Sequence, residues 1–169
     1  LKADPNNAGI IELLAVAQRR TGKRTEALET LKQVLPNVDL GARLKLNMAL
    51  GEIYEELGRP ADAVAHYEGV FNEMANKPKL TAAENETFAE LVTRLTRAYN
   101  REGNKKKSQD LLTRAKSVMG DNNPLVDSLL IEGLREEGKS REALEAVRSA
   151  LTRYPNERSL KVTEALIPW

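Results

Sequence analysis

Cysteine is absent from the 169 residues, which removes disulfides, thiolate metal ligation and thiol nucleophiles together. A cysteine-free chain suits cytosol and periplasm alike, so the compartment stays open. Aromatic residues are only 4% of the chain, and histidine occurs once, at His66. A lone imidazole lacks the companions that zinc takes, and no Ser and Asp arrangement accompanies it for nucleophilic catalysis. No apolar run approaches the roughly 18 residues of a membrane span, and no signal peptide is visible. Membrane insertion is therefore not expected. Charge of one sign is missing too: 26 Lys and Arg stand against 25 Asp and Glu. A field that would gather nucleic acid or anionic lipid is lacking.

What remains is rich in Leu, Ala, Glu, Lys and Arg, which lose little rotamer freedom in a helix. It also repeats. Gly22, Gly58, Gly103 and Gly138 are spaced by 36, 45 and 35 residues. Eight residues before each stands Leu14, Leu50, Leu95 or Leu130; four before, Gln18, Tyr54, Tyr99 or Leu134. Five after stands a small residue, Ala27, Ala63, Ser108 or Ala143; nine after, Leu31, Tyr67, Leu112 or Val147; twelve after, Val34, Val70, Ala115 or Ala150. Apolar residues recur three and four apart on both sides of each glycine, which is helical periodicity. Each unit reads as helix, glycine turn, helix. Glycine supplies the left-handed residue that ends the first helix. The small residue lets the second approach closely, and the large residues fill the space to the next unit. One pair cannot bury its apolar faces alone, so the units must stack.

The stretch Leu50-Gly51-Glu52-Ile53-Tyr54-Glu55-Glu56-Leu57-Gly58, with Ala63, Tyr67 and Val70, resembles the tetratricopeptide repeat. So does Gly138 to Pro155, with Ala143, Ala150 and the Tyr154-Pro155-Asn156 exit, while Asp4-Pro5-Asn6-Asn7 is similar to the junction between two repeats. The resemblance covers nearly the whole chain. It implies an all-α fold, a right-handed α-solenoid of antiparallel helix pairs, and a non-catalytic scaffold for protein partners with no cofactor. Asn47 and Asp127 depart from the pattern, standing where the family has a large apolar or aromatic residue, and Gln18 stands where Tyr is common.

Helix-end signals divide the chain into residues 1–7, the tail of a preceding repeat; 8–38, 39–80, 81–122 and 123–156, four repeats; and 157–169, a terminal helix or the start of a further repeat. Asp39 is a candidate cap for a helix from about Leu40 to Leu57, and Asn123-Pro124 begins another. Thr81 and Glu84 form a candidate capping box for a long helix through Tyr99. The extra residues of the 45-residue spacing lie between Phe71 and Phe88, with Asn76-Lys77-Pro78-Lys79 as the loop. An extended helix and longer loop is the expected reading, a partner site the alternative. Leu1 to Asp4 read as the tail of a preceding repeat's second helix and Ser159 to Ile167 as one further helix, a cap or the first half of another repeat, so that the chain reads as a segment of a longer protein. Leu166, Ile167 and Trp169 are expected to seek an apolar partner, from a neighbouring repeat or another copy.

Three short motifs match chemical signatures in spacing but not in context. Gly133-Leu134-Arg135-Glu136-Glu137-Gly138-Lys139-Ser140 has the spacing of a phosphate-binding loop, but that chemistry needs a strand before it, and the preceding residues read as helix. Lys105-Lys106-Lys107 is too short and too poor in aromatics for nucleic acid. Asn85-Glu86-Thr87 fits a glycosylation acceptor but lies in a helical stretch.

In the resembled family the first helices line a concave groove. Positions thirteen, ten, six, three and two before each glycine share one helix face. That face carries Gly9, Glu12, Val16, Arg19 and Arg20; then Lys45, Met48, Glu52, Glu55 and Glu56; then Glu90, Thr93, Arg97, Asn100 and Arg101; then Leu125, Ser128, Glu132, Arg135 and Glu136. Its sign runs basic, acidic, basic, mixed. The Lys and Asn pattern of a chaperone-tail clamp is absent. An extended peptide or partner helix of mixed charge fits best. Glu52, Glu55 and Glu56, set against Arg97 and Arg101 with Met48 as an adaptable apolar contact, are the expected centre. The alternative reading is a docking arm for a catalytic domain elsewhere in a larger protein.

Overall fold

The computed structural model describes residues 5–37, 40–120 and 123–168, all helix, turn or loop with no strand among them. Leu1 to Asp4, the proposed cap Asp39 and the terminal Trp169 lie outside the described residues. The helices are α1 (Pro5–Arg20), α2 (Arg24–Val34), α3 (Leu40–Glu56), α4 (Pro60–Ala75), α5 (Ala82–Arg101), α6 (Lys105–Met119), α7 (Leu125–Glu136), α8 (Ser140–Arg153) and α9 (Arg158–Leu166). A short 3₁₀ turn, Leu35–Asn37, follows α2. The chain forms two compact units, residues 1–91 and 92–169, divided within α5. The first contains the α1/α2 and α3/α4 pairs; α7 packs on α8, and α8 on α9, in the second.

Each repeat glycine ends a first helix in the same way. Gly22, Gly58, Gly103 and Gly138 all have φ between 71° and 80°, a region that side chains with a Cβ disfavour. The amide after each glycine reaches back to the carbonyl four residues before that glycine: Lys23 to Gln18, Arg59 to Tyr54, Asn104 to Tyr99 and Lys139 to Leu134, at 2.7–2.9 Å. The glycine amide bonds the carbonyl three before it. Those paired bonds satisfy carbonyls that the helix end would otherwise orphan.

Other ends are fixed by side chains. The capping box forms, with Glu84 N donating to Thr81 Oγ1 and Thr81 N to Glu84 Oε1, both at 3.2 Å. Asn104 Oδ1 accepts from Lys107 N at the start of α6, and Asn123 Oδ1 accepts from Leu125 N ahead of α7. The longer second spacing, from Gly58 to Gly103, is taken up by the loop from Asn76 to Thr81 and the first turns of α5. That segment is tied down: Lys77 bonds Glu84, and Phe71 stacks on Phe88 with centroids 5.2 Å apart.

The small residues five after each glycine, Ala27, Ala63, Ser108 and Ala143, are all buried, as are Leu31, Tyr67, Leu112 and Val147 nine after. The leucine column eight before splits. Leu50 and Leu95 are 0% exposed, but Leu14 and Leu130 are 49% and 41% exposed, against the expectation of a common core position. A side chain there faces away from its own hairpin and needs a neighbouring helix to cover it. No described helix precedes α1, and α6 covers α7 less closely than α2 covers α3.

The column that is uniformly buried lies one residue later: Ala15, Gly51, Thr96 and Ile131. Its members vary inversely in size with the residues nine after the glycine. Gly51 goes with Tyr67, Ala15 with Leu31, Thr96 with Leu112 and Ile131 with Val147. The reason is visible in α3/α4, where a Cβ on Gly51 would overlap three carbons of the Tyr67 ring. Close packing fixes the summed volume of a pair, not either member.

The polar departures from the repeat pattern find partners across their hairpins. Thr30 Oγ1 donates to Gln18 Oε1 at 3.0 Å. His66 Nδ1 and Asn47 Oδ1 lie 3.4 Å apart. Arg153 Nη2 donates to Asp127 Oδ1 at 2.9 Å. Each replaces an apolar contact by a satisfied polar one, which a largely buried group requires.

Candidate functional site

Helices α1 and α3 each present one face whose residues recur at three and four, and α5 adds its first turns. Together they enclose a hollow of about 300 Å³. Ala15, Val16, Leu31, Met48 and Ala49 form its apolar part; Glu12, Arg19, Lys45, Glu52, Thr87 and Glu90 supply the polar rim. The structure thus gathers three expected groove positions from each of the first two repeats and one from the third. Met48 is placed differently from expectation. It is 6% exposed and forms part of the hollow's base, because α3 is covered along that edge. It is core first, and a contact surface only through the hollow.

Arg19 forms one wall. Its guanidinium donates to Glu52 Oε2 at 3.2 Å and to Glu56 Oε1 at 2.5 Å. Arg24 Nε donates to Glu56 Oε2 at 3.1 Å. The Glu56 hydrogen bond holds Arg19 above the ordinary arginine range, and the Arg19 bond draws Glu56 below the ordinary carboxylate range. Both shifts are for partly exposed groups, so the network orients side chains more than it stabilises the fold. It is charge-assisted and forked, which fixes geometry.

Behind that wall lies a second, more open hollow of about 470 Å³, lined by Val16, Arg19, Arg20, Arg24 and Glu56. Sequence reasoning missed Arg24, because the resemblance assigns the groove to first helices and Arg24 opens α2. Its signal was the turn itself: the short link from Thr21 to Lys23 brings the start of α2 beside the end of α1. Ala15 and Ala49 were missed as well, lying between the positions chosen by spacing, and so was Thr87, which precedes the first of them on α5.

Lys45, Glu55, Arg20, Arg97, Arg101 and Arg135 are exposed and Asn100 is half-buried. Arg97 Nε donates to Glu132 Oε1 at 3.1 Å within the second unit. There too, the Asn100 amide lies beside Gly133, where a Cβ would come 3.7 Å from its Nδ2.

The phosphate-loop lookalike is helical up to Glu136, with Gly133 inside α7. Gly138 is the turn glycine, and Lys139 Nζ lies 3.0 Å from Glu137 Oε2, an oxygen also 3.1 Å from Lys105 Nζ. These ammonium groups hold Glu137 below the ordinary carboxylate range. His66 stacks on Tyr54, centroids 5.2 Å apart, and burial, then Lys32, lowers its affinity for a proton. It packs as a core-edge residue. Among the described residues no group of three His, Asp or Glu is placed to hold a metal, and no helix is long and apolar enough to cross a membrane.

The ends differ from one another. Ile10, Leu13 and Leu14 of α1 are exposed, as are Val162 and Leu166 of α9. Ile167, expected to be an open apolar end, is instead buried with Ile131, Val147, Ala150 and Leu160. The chain leaves the helical path after Leu166, which places Ile167 in the core that residues of α7, α8 and α9 share.

Residues 48–80 match the family model described as the tetratricopeptide repeat. Among solved structures, the MamA protein shares 20% identity over 95% of this chain and 80% of its own, with a TM-score of 0.60. A kinesin light chain-like protein of Podosopora anserina with nearly identical TPR-like repeats shares 19% over 95% and 82%, at 0.59. A thermophilic TPR protein of Thermus thermophilus shares 22% over 96% and 81%, at 0.53. At these identities the likeness is one of fold. No curated protein gives a significant sequence match.

Proposed function

From a chain that carries a tetratricopeptide repeat at residues 48–80 and has the fold of tetratricopeptide-repeat proteins, we propose a non-catalytic scaffold that binds an extended peptide or partner helix. The binding face is that of α1 and α3 over the 300 Å³ hollow. The observation that supports this most is the hollow's make-up, an apolar base ringed by charges of both signs. Ligand sites of this kind combine apolar area with a few polar groups that orient the ligand. Helical repeats suit the role because stacked units present a continuous surface. The partner is a protein or peptide; nucleic acid is disfavoured because the rim mixes Glu12, Glu52 and Glu90 with its two cations, where a nucleic-acid face would be a basic stripe. The expected centre at Glu52, Glu55, Glu56, Arg97 and Arg101 is narrowed to the first two repeats, because Glu52 and Glu56 are bound by Arg19.

The test is selection from an unbiased displayed peptide library on the whole chain, followed by rebinding to variants. Ala49→Trp fills the hollow and should abolish binding of the selected peptides. Arg141→Glu, on the exposed surface of α8, should leave it intact. Binding should weaken as salt rises, since rim charges are screened. Peptides indifferent to Ala49→Trp, or no enrichment at all, would place the function elsewhere.

A further inference from the structure

The two hollows are unlike in chemistry and share a wall. Val16 and Arg19 line both. The first offers apolar area from Ala15, Val16, Met48 and Ala49. The second sets three arginines, Arg19, Arg20 and Arg24, against the single carboxylate of Glu56. Arg19 is committed to Glu52 and Glu56 through its Nη groups. Arg24 meets Glu56 through Nε, and Arg20 is exposed. The second hollow therefore keeps a net positive charge and guanidinium donors after its internal pairs are formed. Arginine forks match planar carboxylates two bonds at a time.

We infer that the partner segment is bipartite: an apolar side chain seated in the first hollow, next to an aspartate or glutamate held by Arg20 and Arg24 in the second. This rests on the groove reading above and adds the chemistry and polarity of the occupant. One of these two arginines, Arg24, already holds a carboxylate, that of Glu56, jointly with Arg19, so the acceptor geometry is one the site makes. A phosphate dianion would meet about twice the repulsion from Glu56 that a carboxylate meets at the same distance, but also about twice the attraction of the arginines. The carboxylate is favoured as guest because Glu56 shows that shape already seated against Arg24. The arginines at the end of α1 complement the negative end of its helix dipole, which one or two cations would do; the third, on α2, has no such role.

The test uses labelled Gly-Ser peptides carrying one Leu with Asp one to three residues away on either side, read by fluorescence anisotropy. Matched peptides carry Lys for Asp, phosphoserine for Asp, or Gly for Leu. A Leu–Asp peptide at one spacing should bind on the order of tenfold more tightly than its Leu–Lys counterpart, and no more weakly than the phosphoserine form. Replacing Leu by Gly should remove binding. Arg20→Glu should erase the preference for Asp and Arg20→Gln should halve it or more, both with unchanged circular dichroism, because Arg20 is exposed and outside the Arg19 pairs. Equal binding of the Asp and Lys peptides, tighter binding of the phosphoserine form, or an Asp preference that survives Arg20→Glu overturns the inference. Failure of the whole peptide series does so as well. If peptides from the unbiased library are still lost on Ala49→Trp, the groove stands and only its proposed polarity falls; if they are not, both fall.

Discussion

In α3/α4 the buried position seven before the turn glycine is Gly51, with Tyr67 across from it; in α7/α8 the same places hold Ile131 and Val147. In α3/α4 the position one earlier, Leu50, is sealed; in α7/α8 its equivalent, Leu130, is 41% exposed. At the position eleven before the glycine, α3/α4 pairs Asn47 with His66 and α7/α8 pairs Asp127 with Arg153. One hairpin plan is thus filled in two ways, and the interior of a hairpin is specified by pairs of residues. Its outer face is specified by the neighbour that covers it. The first property lies in the sequence of a single repeat. The second does not.

The largest contrast should come from the outer face. Leu50→Ala removes a wholly buried side chain and should cost about 2–5 kcal/mol, while Leu130→Ala should cost roughly 1 kcal/mol. Repeat arrays unfold unit by unit, so native-state amide exchange in α3 and α7 is the measurement that separates them. Equal losses of protection would mean that Leu130 is covered in solution.

The interior contrast comes next. Gly51→Ala sets the gain in helix propensity, about 1 kcal/mol, against overlap with the Tyr67 ring. Overpacking of that kind costs about 1–3 kcal/mol, and the overlap spans three ring carbons, so net destabilisation is expected. Gly51→Ala with Tyr67→Leu recreates the Ala15 and Leu31 combination of α1/α2. The double variant should lose less than the two single losses summed, a coupling of about 0.5–3 kcal/mol. Additive losses would show that the two columns are not a size-matched pair.

These contrasts mark how much was legible in the sequence. The four turn glycines were legible because the left-handed conformation leaves almost no other choice of residue, and the small column after them because the hairpin closes there. The capping box at Thr81 and Glu84 was legible because its spacing is local. Leu14 and Leu130 were misplaced because burial on the outer face depends on a different hairpin. The column Ala15, Gly51, Thr96, Ile131 escaped notice because residues that compensate in size look unrelated when read one column at a time. At the candidate site, spacing from each glycine found Glu12, Val16, Arg19, Lys45, Met48 and Glu52, which share helix faces. It missed Arg24, whose place follows from the turn.

A smaller effect separates the pairs by pH. His66 stacks on Tyr54, over which Arg59 and Lys32 also lie, at 4.8 and 5.7 Å from the ring centroid. Burial and Lys32 lower the His66 pKa below 6.5, against a smaller opposing pull from Asp62. A base with a depressed folded pKa binds protons more readily when unfolded, so stability is full above 6.5 and falls as pH drops through that value toward the folded pKa. Between about pH 7.5 and 5.5, a window that brackets the unfolded value, amide protection in α3/α4 should fall in the wild type and fall less in His66→Gln. The Glu56 carboxylate, whose contribution is lost only as pH falls below its unfolded value of 4.5, stays outside that window. Parallel losses in wild type and variant would assign the pH response to another group.

The smallest expected effect is none at all, and it falls on α7/α8. Gly133 to Ser140 has the spacing of a nucleotide loop, and α3/α4 has no counterpart of Gly133 or Lys139 at the same offsets from Gly58, where Ile53 and Arg59 stand. If the spacing were functional, the two pairs would differ in their response to Mg-ATP. The geometry argues that they do not. A phosphate cradle is a run of open backbone amides between a strand and a helix, and here the amides of Glu137, Gly138 and Lys139 already bond the carbonyls of Gly133, Arg135 and Leu134. Freeing them means unwinding the last turn of α7. The lysine that would reach the phosphates is paired to Glu137, and that carboxylate would repel them. Titration calorimetry with Mg-ATP should show heats of dilution only, for the wild type and Lys139→Ala alike. Saturable heat that Lys139→Ala removes would show that the turn opens, and with it that the α7/α8 pair is less closed than its glycine turn implies.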